Sequence, residues 1–337
     1  MQEIQVKENL AGQRLNKLLE KYLKEAPKSF IYKMLRKKNI TLNDKKATGA
    51  ELLKEGDRVK LWFSEETLAK FTASNQNKFS VDLVAQAEEY PNLDILYENQ
   101  DILIVNKPTG ILSQKSKEDD FSINEQILAY SLESGKITAD SLQFFKPSIC
   151  NRLDRNTTGL VTAGLSLAGS RDLNQAFQER SLGKYYLCIC AGNISKKDNI
   201  QGYLIKDEVH NQVQIKQEKQ AGAVYIETEY APLVCSQDYT LLQVHLITGK
   251  SHQIRAHLSS QGFPILGDSK YGDQKKNKSF EQDYGIKLES QLLHAHRLLF
   301  PLESSGALAP LCGKEVIAPP PPLFQVICQV LGLGELY

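Results

Sequence analysis

Residues Asn151 to Leu160, NRLDRNTTGL, set Asp154 between Arg152 and Arg155 and run through hydrogen-bonding residues to Gly159, directly before an apolar stretch. Loops beside strand ends are where sites are built. Two flanking cations favour an ionised carboxylate, the state that a nucleophile or an anionic base requires. A turn in which Asp154 merely pairs with a neighbouring arginine is the competing reading of the same spacing. In a second cluster, TGKSHQIRAHL from Thr248 to Leu258, Ser251 can cap a helix whose N-terminus, with Lys250 and Arg255, would attract an anion such as phosphate. His252 and His257 are five apart, not the i, i+4 of ligands stacked on one helical face, so no zinc is expected there. His294 and His296, in LHAHRL, are expected on opposite faces of a strand, as hydrogen-bonding groups and not as a metal pair. Tyr185 and Tyr186 follow Lys184 at the start of an apolar strand, where alternation sends one ring inward and the other out. An inward ring beside an anionic site could stack on a base or accept a proton. Neither G-x-G-x-x-G nor a phosphate-loop pattern occurs, so no nucleotide cofactor is expected.

The elements that must position these residues fall into two groups. In residues 1–63, Leu15, Leu18, Leu19, Tyr22 and Leu23 follow helical spacing, and a second helix fits from Lys28 to Lys38. A short strand from Ile40 to Leu42, a turn at Asn43 and Asp44, and a final strand from Arg58 to Phe63 complete a small α/β unit. On the second helix Phe30, Ile31, Met34 and Leu35 make one apolar face, and Lys28, Lys33, Arg36, Lys37 and Lys38 take the other side. That charge run reads either as a solvated helix face or as a phosphate-binding patch. Residues 64–85 are mostly polar without a sustained period and read as a linker. From 86 to 330 the chain reads as a larger domain. Strands are predicted at DILIVN, GLVTAG, KYYLCICAG, AVYIETEYAPLVC and YTLLQVHLI, and helices from Ser122 to Leu132, Leu167 to Arg180 and Ser251 to Gln261. The segment from 273 to 290 reads as a surface excursion. The fold class is therefore α+β, the larger domain being built on a mixed, mainly antiparallel sheet with flanking helices.

Composition bounds the function classes. At 337 residues, 41% hydrophobic and 24% charged, the chain is an ordinary globular protein of about two domains. It has no apolar run of the roughly 18 residues that would span a bilayer and no secretory leader, so a cytoplasmic monomer with no membrane partner is expected. Its six cysteines form no C-x-x-C pair and are expected as reduced thiols. The formal net charge of +1 conceals a split: residues 1–63 hold 15 Lys+Arg against 8 Asp+Glu, and the remainder 26 against 32.

NRLDRNTTGL resembles the H-R-L-D-R-x-T-S-G-L segment of the RluA family of pseudouridine synthases, and the similarity continues in the family's order. Lys107 and Pro108 in IVNKPTGIL resemble its first motif, KYYLCICAG its K-x-Y-x-A strand, TGKSHQIRAHLSSQGFPILGDSKYG its T-G-R-x-H-Q-I-R-x-H segment and LLHAHRLLF its L-H-A segment. Residues 1–63 are similar to an S4 RNA-binding domain, with Arg14, Leu15 and Asn16 at its R-L-D opening and Gly56, Asp57, Arg58 and Val59 at its terminal G-D-x-V. Asn151, Asn156, Lys250 and Asn16 depart from the residues the families often carry at those positions.

The resemblance implies an isomerase that breaks the C1′–N1 bond of a uridine and rejoins the uracil through C5, with no metal or cofactor. It places the essential carboxylate at Asp154, attacking C1′ or removing a 2′ proton. It pairs Arg255 with Asp154, stacks Tyr186 on the uracil as a possible acceptor of the C5 proton, and puts Arg152 in the gap left by a flipped base. Arg155, Lys250 and His252 would contact the RNA beside it, and Lys28, Lys33, Arg36, Lys37 and Lys38 would grip it through the S4-like domain. The implied partner is structured RNA, above all large-subunit ribosomal RNA. A non-catalytic RNA-binding factor is the rival reading, and it would be marked by loss of Asp154 or Arg255. A serine hydrolase lacks its G-x-S-x-G elbow.

Overall fold

In a computed structural model of the chain, residues 1–7, 10–72, 76–139, 141–207 and 212–334 are described. The N-terminal unit holds β1 (Gln2–Gln5), α1 (Leu15–Tyr22), α2 (Lys28–Arg36), β2 (Ile40–Leu42), β3 (Lys45–Lys46) and β4 (Arg58–Leu61). Its four strands form a sheet in the order β1-β4-β2-β3. Leu15, Leu18 and Leu19 of α1 and Ile31, Met34 and Leu35 of α2 are buried against it, as the helical spacing requires. The strand β1 carries no clear alternating signal in QEIQ and is absent from the sequence reading; pairing with β4 creates it.

Residues 64–85 are not an extended linker. They fold into α3 (Glu65–Phe71), capped by Ser64 Oγ accepting from Thr67 N–H at 3.3 Å, and most of α4 (Gln76–Ala87), while 73–75 lie outside the described residues. The physical reason is tertiary. Phe71 packs on Phe30 with ring centroids 4.7 Å apart, and Leu83 is buried against Phe121, Leu128 and Ala129. A period too short to show in sequence is enough once a partner surface exists.

The remainder contains β5 (Ile95–Glu98), β6 (Ile102–Lys107), α5 (Ile123–Glu133), β7 (Ser148–Ile149), β8 (Thr158–Gly164), α6 (Leu167–Glu179) and β9 (Gly183–Ala191). It continues through β10 (Asp198–Asp207), β11 (Gln212–Lys216), β12 (Val224–Cys235), β13 (Tyr239–Leu246), α7 (Gln253–Ser260), α8 (Gln274–Tyr284), β14 (Leu293–Leu299), β15 (Glu315–Ile317) and α9 (Pro322–Val330). The supposed surface excursion from 273 to 290 holds α8, whose Phe280 is fully buried. One large sheet runs β11-β10-β12-β13-β9-β14-β8-β6-β5, with β15 on β14 and β7 on β8. Its pairings are antiparallel except β14 with β8, the one parallel pair among the described residues. No helix among the described residues is long and apolar enough to cross a membrane.

The parallel pair matters for function. The two strands share only His294↔Thr158 and Ala295↔Gly159, and beyond that point β15 and β7 take the edges they vacate. Gly159 sits at this fork with φ +108°, and a Cβ there would lie 2.2 Å from the Ala295 carbonyl oxygen. A side chain would force β8 and β14 apart.

Candidate active site

Asp154 lies on the loop that leads from β7 into β8. Several buried contacts fix its backbone. Ser113 Oγ donates to the Leu153 carbonyl at 2.7 Å and accepts from Leu153 N–H at 2.9 Å. Asn151 clamps the loop to β8: its Nδ2 donates to the Leu160 carbonyl at 3.0 Å, and its Oδ1 accepts from Thr162 N–H at 2.8 Å and from Thr162 Oγ1 at 2.9 Å. The departure at Asn151 is thus a working structural residue. Gln291 Nε2 donates to Thr157 Oγ1 at 3.1 Å.

Lys107, at the end of β6, holds the far side of the loop. Its side chain is fully buried, and Nζ donates to the carbonyls of Pro108, Ile111 and Arg155 at 2.8, 2.8 and 2.9 Å. Burial pushes its pKa down to about 7 against the upward pull of Asp154. Three acceptors match the three N–H of the ammonium, whereas an amine could fill only two of them. Lys107→Met would strand these carbonyls, so a loss of about 2–4 kcal/mol is expected. A lower urea midpoint at unchanged m would report it; an unchanged midpoint would refute the role.

Asp154 is paired from a different element. Arg255, on α7, donates from one terminal nitrogen to Asp154 Oδ2 at 2.7 Å, and from Nε and the other terminal nitrogen to the two oxygens of Asp268 at 2.7 and 2.8 Å. Asp268 is fully buried and also accepts from the backbone N–H of Lys270 and Tyr271. Despite burial, the Arg255 guanidinium and these amides hold its carboxyl below the usual range. Arg255 in turn is held above its ordinary value by the two carboxylates and remains charged. The bidentate grip on Asp268 fixes the guanidinium plane, which aims the remaining N–H groups at Asp154.

His252 stands beside this pair. Tyr271 Oη accepts from Val213 N–H at 2.8 Å and lies 2.9 Å from His252 Nδ1. His252 Nε2 lies 3.9 Å from Asp154 Oδ1. Burial lowers the His252 pKa, in keeping with a neutral ring. It is thus a neighbour of the carboxylate and not a rim cation. His252, with φ +57°, occupies the N-cap of α7, so Ser251 does not cap the helix as expected; Gln253 Oε1 accepts from Lys250 N–H at 3.1 Å instead.

Tyr186, in the middle of the sheet, is opposite Val244 on β13 and Ala295 on β14, and Ala295 is in turn opposite Gly159. This row brings Tyr186 to the fork. It is 8% exposed, and burial, then Asp154, raises its pKa well above the ordinary tyrosine value. Tyr185 also lines the cleft and is held between its two cross-strand neighbours. The Arg297 guanidinium lies 4.1 Å from its ring centroid and the His245 ring 4.5 Å.

Asp154, Tyr186, His252 and Arg255 line one cleft of about 820 Å³. Arg152, Arg155 and Lys250 are exposed on its walls, joined by Arg180, Lys184 and Arg297, which sequence reasoning did not single out. Arg155 Nε donates to the Gly110 carbonyl at 3.0 Å. Lys28, Lys33, Arg36, Lys37 and Lys38 are exposed on or just after α2 and do not line this cleft. His294 and His296 are not on opposite faces: residues two apart on a strand share a face, and both rings bond the Ala318 carbonyl at 2.9 Å. They remain unsuited to share a metal, because His294 also bonds Thr158 Oγ1 through Nδ1. Asp268 and Tyr271 were missed although both lie in ILGDSKYG, where a lone carboxylate follows an apolar run and sits between two glycines.

A sequence profile of the RNA pseudouridylate synthase family matches residues 101–260. The chain is 28% identical over 301 residues to ribosomal large subunit pseudouridine synthase C of Vibrio vulnificus, covering 89% of this chain and 88% of that one. It is 30% identical over 298 residues to an uncharacterized RNA pseudouridine synthase of Mycoplasma genitalium, covering 87% and 88%. Among solved structures, human RNA pseudouridylate synthase domain containing 4 superposes with a TM-score of 0.60 at 20% identity, over 75% of this chain and 97% of that one, a likeness of fold. A divided sheet that brings an arginine-held aspartate and a buried tyrosine to one basic cleft, in a sequence this close to such relatives, belongs to the RNA pseudouridine synthase family, and the chain is a uridine-to-pseudouridine isomerase.

Proposed function

We propose that the chain isomerises specific uridines of structured RNA, its substrate being large-subunit ribosomal RNA, with Asp154 as the essential carboxylate acting on a flipped-out base. The observation that carries this reading is the 2.7 Å pair of Asp154 with Arg255 in the cleft, beside buried Tyr186. The substrate assignment rests on relatives named as ribosomal large subunit synthases that match nearly end to end.

The reaction breaks C1′–N1, forms C1′–C5, and moves one proton from C5 and one onto N1, so nothing is oxidised or reduced. Asp154 either attacks C1′ or takes the 2′ proton, and both routes need it ionised. Arg255 orients the carboxylate, its N–H donating to Asp154 Oδ2 at 2.7 Å. Tyr186 presents its ring to the uracil. Its raised pKa keeps it a phenol, so it accepts the C5 proton only by giving up its own. Duplex or folded RNA hides the target, so the base leaves the stack at a cost of a few kcal/mol, and Arg152 on the cleft wall fills the gap. The N-terminal unit, with its cations along α2, acts as an S4-like RNA-binding domain, and phosphate contacts there offset that cost. The protein works as a cytoplasmic monomer.

Pseudouridine mapping of large-subunit ribosomal RNA from cells with and without the gene tests the reading. One or more sites are expected to vanish without it and to return with the parent protein but not with Asp154→Ala. An unchanged large-subunit map would refute the ribosomal assignment.

A further inference from the structure

The last strand of the N-terminal sheet departs from its own alternation. Along β4, Arg58 and Lys60 face outward while Val59 and Leu61 are fully buried, and Phe63, just beyond the strand, is buried in the N-terminal core. The period therefore sends Trp62 to the outer face, where a polar residue is expected, and leaves it 51% exposed. It is the chain's single tryptophan. An isolated apolar residue on a surface is ordinary, but the surroundings of this one are organised.

The ring is held to the sheet. Its Nε1–H donates to Oγ1 of buried Thr41, on β2, at 3.4 Å, and its backbone N–H donates to the Asn39 carbonyl at 2.8 Å. Thr41 is opposite Lys60 on β4 and Lys46 on β3, so Thr41, Lys46, Lys60 and Trp62 share the outer face. With its one polar atom bonded to the sheet, the indole offers only ring surface to a ligand.

Cations adjoin the ring. Asn39 directly follows Arg36, Lys37 and Lys38, all exposed, so its bond to Trp62 brings the end of α2 to the indole, with the Lys38 Cα within about 10 Å of that of Trp62. Lys38 has φ +61°, a left-handed position at which glycine or asparagine is usual after a helix. A lysine is kept there against its backbone preference. Glu3, opposite Lys60 on β1, and Asp44, in the β2–β3 turn, are both held by Lys60: its Nζ is 2.6 Å from Asp44 Oδ1 and 3.8 Å from Glu3 Oε2. Arg58 stands 3.8 Å from the other Asp44 oxygen.

An exposed ring bordered by lysines suits nucleic acid better than an apolar protein patch. Every base has a π face that can stack on an aromatic side chain, and cations track the phosphates that accompany it. A paired base keeps its faces inside the helical stack, so the base must be unpaired.

We propose that Trp62 is a base-stacking site, on which an unpaired base of the RNA lies against the indole while Lys37, Lys38 and Lys46 bind the phosphates beside it. The inference deepens the RNA-binding reading of the N-terminal unit and rests on it. It gives that unit a grip on single-stranded features that charge alone does not supply.

Two measurements on the full chain with transcribed large-subunit ribosomal RNA test it. Saturating RNA is expected to quench the emission of Trp62 and to shield it from acrylamide. Filter binding across a salt series then separates stacking from charge. Trp62→Leu should weaken binding about tenfold, or about 1.4 kcal/mol, which is within the range for one base stacked on an aromatic ring. No charge is removed, so the factor should be the same at every salt concentration and the slope of log affinity against log salt unchanged. Trp62→Phe, which keeps a ring, should recover most of the loss. The triple variant Lys37→Gln, Lys38→Gln, Lys46→Gln should instead flatten the slope by about 2, at roughly 0.7 per phosphate contact. Unchanged emission at saturating RNA, or Trp62→Leu binding as tightly as the parent, would overturn the proposal. So would a flattened slope in Trp62→Leu, which would make the indole a mere prop of the cationic surface, or emission that responds to ribosomal protein freed of RNA and not to this RNA, which would give the face to a protein partner. Quenched emission in a parent that forms no pseudouridine in this RNA would sink the substrate reading and support the stack; pseudouridine formed with unchanged emission would do the reverse.

Discussion

Asp154→Asn is expected to abolish pseudouridine formation, by at least about 10³-fold or roughly 4 kcal/mol of transition-state stabilisation, in a protein that still folds and still binds RNA. The amide is nearly isosteric with the carboxylate and leaves the loop anchors at Asn151, Ser113 and Lys107 untouched. What it removes is the negative charge. An amide neither attacks C1′ nor takes a 2′ proton at neutral pH, so both routes fail together. Tritium release from C5-labelled uridine in RNA reads the rate, and filter binding reads the affinity. Release within a few-fold of the parent would show that Asp154 is not the reacting group.

Arg255→Met should cost both activity and stability, because the arginine answers two carboxylates at once. Asp268 has no solvent exposure, and after the substitution it keeps backbone partners but loses its only described cation. Breaking a buried pair by removing one partner typically costs about 3–5 kcal/mol, and that is the expected fall in unfolding free energy. The pH dependence has a definite sign. Asp268 has a folded pKa below its unfolded value near 3.8, so its pair contributes fully above that value and is lost as pH falls through the lower folded one. The parent should therefore show an acid limb below about pH 4, and Arg255→Met should lose that share of it. Turnover should fall with the loss of the hydrogen bond that orients Asp154. Denaturant midpoints across pH 3–7 and the tritium assay measure the two effects separately. A variant as stable as the parent would mean that Asp268 is satisfied without Arg255.

Asp268 also shows where sequence reasoning stopped. Asp154 was legible because its arginines are its neighbours in the chain, and Arg255 because its helix carries a recognisable pattern. Asp268 lies 13 residues beyond Arg255 with no cation adjacent to it in sequence, and only the chain's return from α7 brings the two together. His252 was legible as a polar residue at a helix start, but its burial and its contact with Tyr271, which also holds Val213 N–H of β11, a strand that was not predicted, were not. The helices at 65–71 and 76–87 were read as a linker because their apolar residues are too few to show a period until Phe30 and α5 supply surfaces for them. For the same reason Phe144 and Phe145 gave no hint that they belong to the N-terminal core.

By itself the sequence determined the charge split between residues 1–63 and the remainder and most of the strands and helices, and it singled out the segment that carries Asp154. Those follow from local pattern, since burial of one face every two or 3.6 residues and flanking charge are written along the chain. Only the tertiary structure decided that Asp154 and Arg255, 101 residues apart, meet at 2.7 Å. It also decided that Tyr186 is buried beside Asp154 and that the N-terminal unit is docked. These depend on strand register and on the fork at Gly159 and Ala295, where one added Cβ would separate the strands. Register is fixed by contacts between distant segments, and no spacing within either segment encodes it.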